Sequence, residues 1–180
     1  MAVAAPMTRC ETGSGALCAP PEVPVTRAPP LLRLATPDDR PAVEAIVRAA
    51  YSPYIARMGR APAPMGVEYG ARIAAGQVHV IGADGGISGL IVLVPEPASL
   101  LLDIVAVAPE AQGRGLGGLL LAFAERSARA QGYAAIRLYT NAAMTENLSL
   151  YAHLGYDETH RAEEDGFQRV HLRKRLGAPD

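Results

Sequence analysis

The stretch Leu101–Leu121 reads LLDIVAVAPEAQGRGLGGLLL. It begins as an apolar run with β-branched residues up to Val107, and it then meets Pro109, which cannot continue a central strand. Four glycines follow within Gly113–Gly118, and from Leu116 the apolar residues recur at helical spacing. The stretch therefore predicts a strand, a glycine-rich loop and a helix in direct succession.

This arrangement is typical of a phosphate-binding site. A glycine loop that leads into a helix directs several backbone N–H groups at one point, and the helix end adds a partial positive charge of about half a unit. Glycine is needed because a Cβ would block close approach of the backbone and disfavour positive φ. We expect a phosphorylated ligand here, and the alternative is a tight structural turn.

Size and composition narrow the remaining options. The chain has 180 residues and a net charge of −1, which indicates one domain without a basic surface for nucleic acid. No run reaches the ~18 apolar residues of a membrane span. Residues 1–30 are expected to be a disordered leader before a single domain over 31–178. The only cysteines, Cys10 and Cys18, lie in that leader, which suits the cytoplasm, and the histidines lack metal-ligand spacing.

The order of elements predicts an α/β domain. Early strands are joined as hairpins and later strands alternate with helices, which favours a mixed sheet. A helix is predicted to open at the Thr36-Pro37-Asp38-Asp39 cap and to end near Tyr51. The other helices are predicted over 65–75, 116–131 and 144–154, and the strands over 31–36, 77–81, 87–94, 99–107, 135–140, 156–161 and 167–175.

Two kinds of phosphorylated ligand compete for the glycine loop. The run Gly113–Gly118 matches the dinucleotide pattern G-x-G-x-x-G, but that pattern also requires an acidic residue at the end of the following strand. Here that strand ends in Leu138-Tyr139-Thr140-Asn141, with no acid, and too few residues remain for a doubly wound sheet. A nicotinamide cofactor is therefore disfavoured.

A second pattern is more specific. The run Gln112–Gly117 fits Q-x-x-G-x-G, and further along come Asn147, Tyr151 and the sequence Leu154-Gly155-Tyr156. In this order and spacing, over about residues 32–176, the chain resembles the GNAT family of N-acetyltransferases. The resemblance implies a mixed, mostly antiparallel sheet of about six to seven strands flanked by helices, with two strands splayed apart to form a slot. It also implies acetyl-CoA as co-substrate.

The same resemblance assigns roles to individual residues. Tyr151 corresponds to the general acid that protonates the leaving thiolate, and the N–H near Val105 corresponds to the donor for the oxyanion. Loop amides would hold the pyrophosphate with help from Arg114, while the strand and Asn147 would hold the pantetheine. The expected cofactor-binding residues are Val105, Val107, Gln112, Gly113, Arg114, Gly115, Leu116, Gly117 and Asn147.

The amine end of the site is less defined. Asp103 is the acid on the relevant strand, and we expect it to act as the base or to hold a water that does; otherwise it caps the sheet or pairs with an arginine. Tyr51, Tyr54 and Met65 in the segment after the first helix, together with Tyr139, are candidates for the acceptor pocket. The alternative for that segment is a proline-stiffened loop packed on the sheet.

The resemblance predicts direct transfer of acetyl to the amine of a small molecule or an amino-acid-like acceptor. Two other functions stay open: a non-catalytic module that senses acetyl-CoA, and an N-acetylase of peptides or proteins. We expect a cytoplasmic protein, and the family allows a homodimer.

Overall fold

The computed structural model describes residues 30–83 and 86–177, so the expected leader, apart from residue 30, lies outside the described residues. Seven strands of the described part form one sheet in the order β1-β2-β3-β4-β5-β7-β6. Only β4 and β5 pair in parallel, which confirms the predicted mixed, mostly antiparallel sheet. The strands are β1 (Leu31–Leu34), β2 (Val78–Ala83), β3 (Gly86–Pro95), β4 (Leu100–Val107), β5 (Ala135–Asn141), β6 (Asp157–Glu164) and β7 (Phe167–Arg175).

Helices cover both faces of the central strands. Because successive strand residues point to opposite faces, the full burial of Leu90, Ile91 and Val92 shows that β3 is covered on both sides. The helices are α1 (Arg40–Tyr51), α2 (Ile55–Met58), α3 (Tyr69–Ala74), α4 (Leu116–Ala130) and α5 (Thr145–His153). Of these, α1 and α4 pack on β3 and β4. None of the helices in the described ranges is long and apolar enough to cross a membrane.

The helix predicted over 65–75 is shorter than expected. The structure has a 3-10 turn at Ala63–Gly66 and only then α3, which begins at Tyr69. The chain is extended at Val67 and Glu68, and the Glu68 side chain caps α3 by accepting a hydrogen bond from the Gly70 N–H at 3.0 Å. A glycine followed by a β-branched residue disfavours a continuous helix, and the cap restarts it.

The sheet opens between β4 and β5. The two strands pair only where Leu100–Leu102 meets Ile136–Leu138, although β4 continues to Val107 and β5 to Asn141. On the other side of β4, the register with β3 shifts between Val92 and Leu93, which leaves Asp103 without a partner residue. This bulge bends β4 where it leaves β5, and the predicted splayed slot begins there.

Candidate functional site

The free edge of β4 forms one wall of the slot. Ala108 donates its N–H to the carbonyl of Ser88 in β3, and by strand alternation Val105 and Val107 direct their backbone groups to the opposite edge, where β5 has turned away. Side chains occupy both carbonyls: the Tyr51 hydroxyl donates to Val105 at 3.0 Å, and the Gln112 amide donates to Val107 at 3.1 Å. The N–H groups of this edge are left facing the slot.

The glycine loop presents a second set of free amides. Gly113 and Gly115 adopt φ values of 74° and 77°, and no described atom lies within 4 Å of the position that a Cβ would take at either residue. Gly115 caps α4 without any side-chain hydrogen bond, and the first helical bond is donated by Leu119. Among the described residues, no backbone partner is found for the N–H groups of residues 113–117. An anion fits here without displacing any protein contact.

The Gln112 N–H differs from this run. It donates to the Pro109 carbonyl at 3.3 Å and so closes the short 3-10 turn at Pro109–Ala111. Since the Gln112 side chain is also bonded to Val107, this residue shapes the loop with both of its donors. The Arg114 side chain is exposed on the loop.

The slot opens into a cleft with a cavity volume of about 210 Å³. Tyr51 and Tyr54 lie on one side, and Asn147 and Tyr151 of α5 lie on another. The cleft brings together most of the predicted side chains, from three separate parts of the sequence. The predicted residues that line it are Tyr51, Tyr54, Asp103, Val105, Val107, Gln112, Gly117, Tyr139, Asn147 and Tyr151.

Met65 lies elsewhere, which corrects its placement in the acceptor pocket. It lines a separate depression with Glu44 and Tyr69 beside α1, because the 3-10 turn at Ala63–Gly66 turns it away from the cleft. Met58, at the end of α2, lines the cleft instead. Both methionines follow the first helix in sequence, and no local pattern distinguishes them.

Asp103 is fixed by two partners on the floor of the cleft. Its side chain is 7% exposed, Oδ2 accepts a hydrogen bond from the Arg72 guanidinium at 3.0 Å, and Oδ1 accepts one from the Tyr139 hydroxyl at 2.5 Å. Burial, and then the bond to Asp103, raise the pKa of Tyr139 above its ordinary value. The carboxylate thus has the arginine partner that the sequence left open, and it also holds Tyr139 directly beyond the last paired residues of β4 and β5.

Tyr151 brings a phenol hydroxyl without a protein partner to the cleft. Its side chain is only 5% exposed, and burial raises the pKa of its hydroxyl to about 12. The ring packs edge-on against Tyr156 with centroids 5.7 Å apart. The hydroxyl makes no hydrogen bond to another described residue, although the side chain lines the cleft. At neutral pH it is a protonated donor without a protein acceptor.

Two further residues of the cleft, Phe167 and Arg169, belong to no motif and were not predicted from the sequence. Both belong to β7, which enters the sheet between β5 and β6 and so brings its first residues beside Tyr139. The Arg169 guanidinium stacks on the Tyr139 ring at 4.4 Å from its centroid. Within the described ranges, no group of three or more potential ligands could hold a metal ion.

Comparison with known proteins agrees with this geometry. Residues 74–158 match the family model of an acetyltransferase (GNAT) domain. The chain is 41% identical over 64 residues to N-alpha-acetyltransferase 80 of Mus musculus, a match that covers 36% of this chain and only 19% of the mouse protein.

Two solved structures share the fold at 18% identity each. One is the PaiA N-acetyltransferase of Thermoplasma acidophilum in complex with coenzyme A, with a TM-score of 0.69 over 82% of this chain and 99% of that one. The other is the ribosomal-protein-S18-alanine N-acetyltransferase of Escherichia coli, with a TM-score of 0.66 over 84% and 97%.

Residues 74–158 therefore belong to a GNAT acetyltransferase domain, and the described residues have the GNAT fold. GNAT domains use acetyl-CoA as their co-substrate, and the residues present fit it. The uncapped amides of residues 113–117 suit its pyrophosphate, and the free N–H groups on the edge of β4 suit its amide-bearing pantetheine arm. No rearrangement of the described chain is needed to expose either set.

Proposed function

We propose that this GNAT protein transfers the acetyl group of acetyl-CoA directly to the amine of a small acceptor. The observation that carries the proposal is Tyr151, a protonated phenol in the same cleft as the free edge of β4, whose hydroxyl has no hydrogen-bond partner among the described residues. This hydroxyl can therefore donate to a group that is bound in the cleft.

Binding of acetyl-CoA is assigned to backbone groups. The N–H groups of Gly113 to Gly117 hold the pyrophosphate, while Asn147 and the N–H groups of Val105 and Val107 hold the pantetheine. Tyr51 and Gln112 act indirectly, because they satisfy the two carbonyls of the β4 edge and leave its N–H groups available. The Val105 N–H then serves as the donor to the thioester oxygen as negative charge develops there.

Bound acetyl-CoA supplies an activated acyl group with a thiolate as the leaving group. Tyr151 donates a hydrogen bond to that sulfur. With a pKa of about 12, its phenol is a weaker acid than an ordinary thiol of pKa ~8.5, so complete proton transfer would be uphill by roughly 5 kcal/mol. We therefore infer that Tyr151 stabilises the thiolate mainly as a hydrogen-bond donor.

Asp103 is proposed to receive the proton of the attacking amine through a water molecule. Both carboxylate oxygens already accept one hydrogen bond each, and each retains a lone pair. Arg72 and Tyr139 fix the orientation of the carboxylate, so a water bound to it would be held at a defined place on the cleft floor.

Two bridges across the cleft favour a small acceptor. Arg57 of α2 forms an ion pair with Glu146 of α5 at 2.5 Å. Arg60 donates to the Asp165 carbonyl at 3.1 Å and stacks over Phe167 at 4.1 Å from the ring centroid. The segment after α1 is thus tied to α5 and to the turn between β6 and β7. An extended polypeptide would have to break one of these ties, whereas a small amine would not.

N-acetylation of peptides or proteins is the second candidate. It is favoured by two names among the similar proteins, an N-alpha-acetyltransferase and a ribosomal-protein-alanine N-acetyltransferase. The third candidate, a sensor of acetyl-CoA, would bind the co-substrate without consuming it.

One experiment separates the three. Purified protein is incubated with acetyl-CoA and either a panel of small amines or peptides with free N-termini, and released thiol and acetylated product are measured. We expect turnover with small amines and none with peptides. Turnover with peptides alone would support the second candidate. A rise in melting temperature with acetyl-CoA, but no thiol release with any acceptor, would support the sensor.

A further inference from the structure

Resting on the proposed function, we propose that the acceptor of this enzyme carries a carboxylate distant from its amine, and that Arg169 binds this carboxylate. The cleft would then select amino acids whose amine and carboxylate are separated by several bonds.

Arg169 is a partly buried cation with unused donors. It lines the cleft, its side chain is 16% exposed, and its guanidinium carbon lies over the Tyr139 ring at 4.4 Å from the ring centroid. Its only hydrogen bond to a described residue goes from Nη1 to Glu164 at 2.8 Å. The Asp165 carboxylate is 3.7 Å from Nη2, too far for a hydrogen bond. Since a guanidinium has five N–H donors, most of those on Arg169 have no acceptor among the described residues.

Other arginines of the described chain show how unusual this is. Arg137 donates two hydrogen bonds to Glu96 and Arg161 donates two to Glu158, although their side chains are 37% and 60% exposed. Water can satisfy whatever donors those two have left. Arg169 is less exposed and makes fewer protein contacts, so a ligand in the cleft is the available acceptor. A carboxylate is the group that matches a guanidinium with two parallel hydrogen bonds.

The cleft therefore has a negative charge beside the hydroxyl of Tyr139 and a positive charge over its ring. The Tyr139 hydroxyl is bonded to Asp103, and its ring is covered by Arg169. An acceptor with its amine near Asp103 and a carboxylate at Arg169 would match both charges. Because the hydroxyl and part of the ring of Tyr139 lie between the two groups, we expect an acceptor with several bonds between its amine and its carboxylate to match them better than an α-amino acid such as glycine.

The test compares matched acceptors. The values of kcat/KM are measured for 4-aminobutyrate and 6-aminohexanoate, and for butylamine and hexylamine, which lack the carboxylate. A charge-assisted pair predicts that the carboxylate improves kcat/KM about tenfold to a hundredfold, mainly through KM. Equal values for the amino acids and the alkylamines would overturn the proposal.

Three variants locate the effect. R169Q should remove the advantage of the carboxylate. R173Q, on the same strand with an exposed side chain, should keep it and serves as the matched control. E164Q removes the negative charge that competes for the guanidinium, so it should lower KM for the amino acids. If Arg169 had only a structural role, E164Q would loosen its side chain and would not lower the KM for the amino acids. An unchanged or higher KM in E164Q would therefore also overturn the proposal. This test remains available even if R169Q fails to fold.

A binding measurement keeps this inference distinct from the proposed function. The melting temperature is recorded with coenzyme A present, with each of the four acceptors added. If no acceptor is turned over, the acetyltransferase proposal fails. A stabilisation by 6-aminohexanoate that hexylamine does not give, and that R169Q abolishes, would still support the carboxylate site. Equal stabilisation by both would refute the site even in an active enzyme.

Discussion

Replacing Tyr151 by phenylalanine tests the reaction chemistry most directly. The change removes one hydroxyl and keeps the ring that packs against Tyr156. Since no described residue is bonded to that hydroxyl, its loss leaves no protein group unsatisfied. We therefore expect the melting temperature to change by no more than about 2 °C, which corresponds to roughly 0.5 kcal/mol for a chain of this length.

The effect on turnover should be much larger. A hydrogen bond to a charged sulfur contributes about 1.5–3 kcal/mol, which predicts a loss in kcat of roughly 10- to 150-fold. A residue that transferred its proton completely would contribute about 10²- to 10⁴-fold. The raised pKa of about 12 favours the lower range, because a phenol that holds its proton so firmly donates it only partly.

The assay is the release of free thiol from acetyl-CoA at saturating acceptor, as a function of acetyl-CoA concentration. The KM for acetyl-CoA should change little, because Tyr151 acts on charge that develops only during transfer. The matched control is Y156F. It removes a buried hydroxyl that has no partner among the described residues, from a ring that is in contact with Tyr151 but outside the cleft. We expect Y156F to keep full turnover and to be more stable by about 1 kcal/mol.

Two results would refute this reasoning. If Y151F kept the kcat of the unmodified enzyme, the leaving thiolate would need no donor from α5. If Y156F lost as much activity as Y151F, the effect would come from packing of the ring pair rather than from the hydroxyl in the cleft. A pH profile of kcat adds a third check, since a pKa of about 12 predicts no loss of activity from Tyr151 up to about pH 10.

Three further changes test the loop, the slot and the buried histidines. G115A and G132A both place a side chain at positive φ in open space, so each should lose about 1 kcal/mol of stability, but only G115A should reduce the thermal shift given by coenzyme A. Y51F leaves a carbonyl on β4 without its donor and should lower the free energy of unfolding in urea by about 1–3 kcal/mol; an unchanged value would contradict the role given to this bond. Burial lowers the pKa of His79 and His171, so the unfolded chain binds protons at these residues more readily than the folded chain does. The free energy of unfolding should therefore fall as the pH drops from about 7 to about 5. In a H79Q/H171Q double variant, melting curves should no longer show this dependence of stability on pH.

The fold was largely predictable because its local signals agree. The hairpins, the capped helices and the glycine loop each occur where the sequence places them, with ends shifted by a few residues. The order of the last two strands was not predictable. The sequence indicates a closing hairpin. The insertion of β7 between β5 and β6, however, depends on which strand of the hairpin pairs with the free edge of β5, and tertiary packing decides that.

In the candidate site, too, residues that belong to a local motif could be predicted, and residues that reach the cleft by long-range packing could not. Residues carried by a motif, such as Tyr151 and the glycine loop, could be predicted because the spacing itself is the signal. Residues brought in by long-range packing could not: Arg169 reaches the cleft through the pairing of β7 with β5, and Met58 rather than Met65 lines it because of one 3-10 turn. Asp103 could be predicted as the acid of the site, but its partners Arg72 and Tyr139 could not, because folding brings them to it from distant parts of the chain.

The slot also explains why Tyr51 and Gln112 lie where they do. An unpaired strand edge with free N–H and C=O groups tends to recruit another strand, and β5 is the nearest one available. By occupying the carbonyls of Val105 and Val107, the two side chains satisfy half of that edge and leave only its N–H groups free. A strand could then gain only part of its usual hydrogen bonds by closing the gap, whereas a ligand rich in carbonyl oxygens could use every donor that remains. The edge of β4 thus disfavours collapse of the slot and favours an amide-bearing ligand through the same two hydrogen bonds.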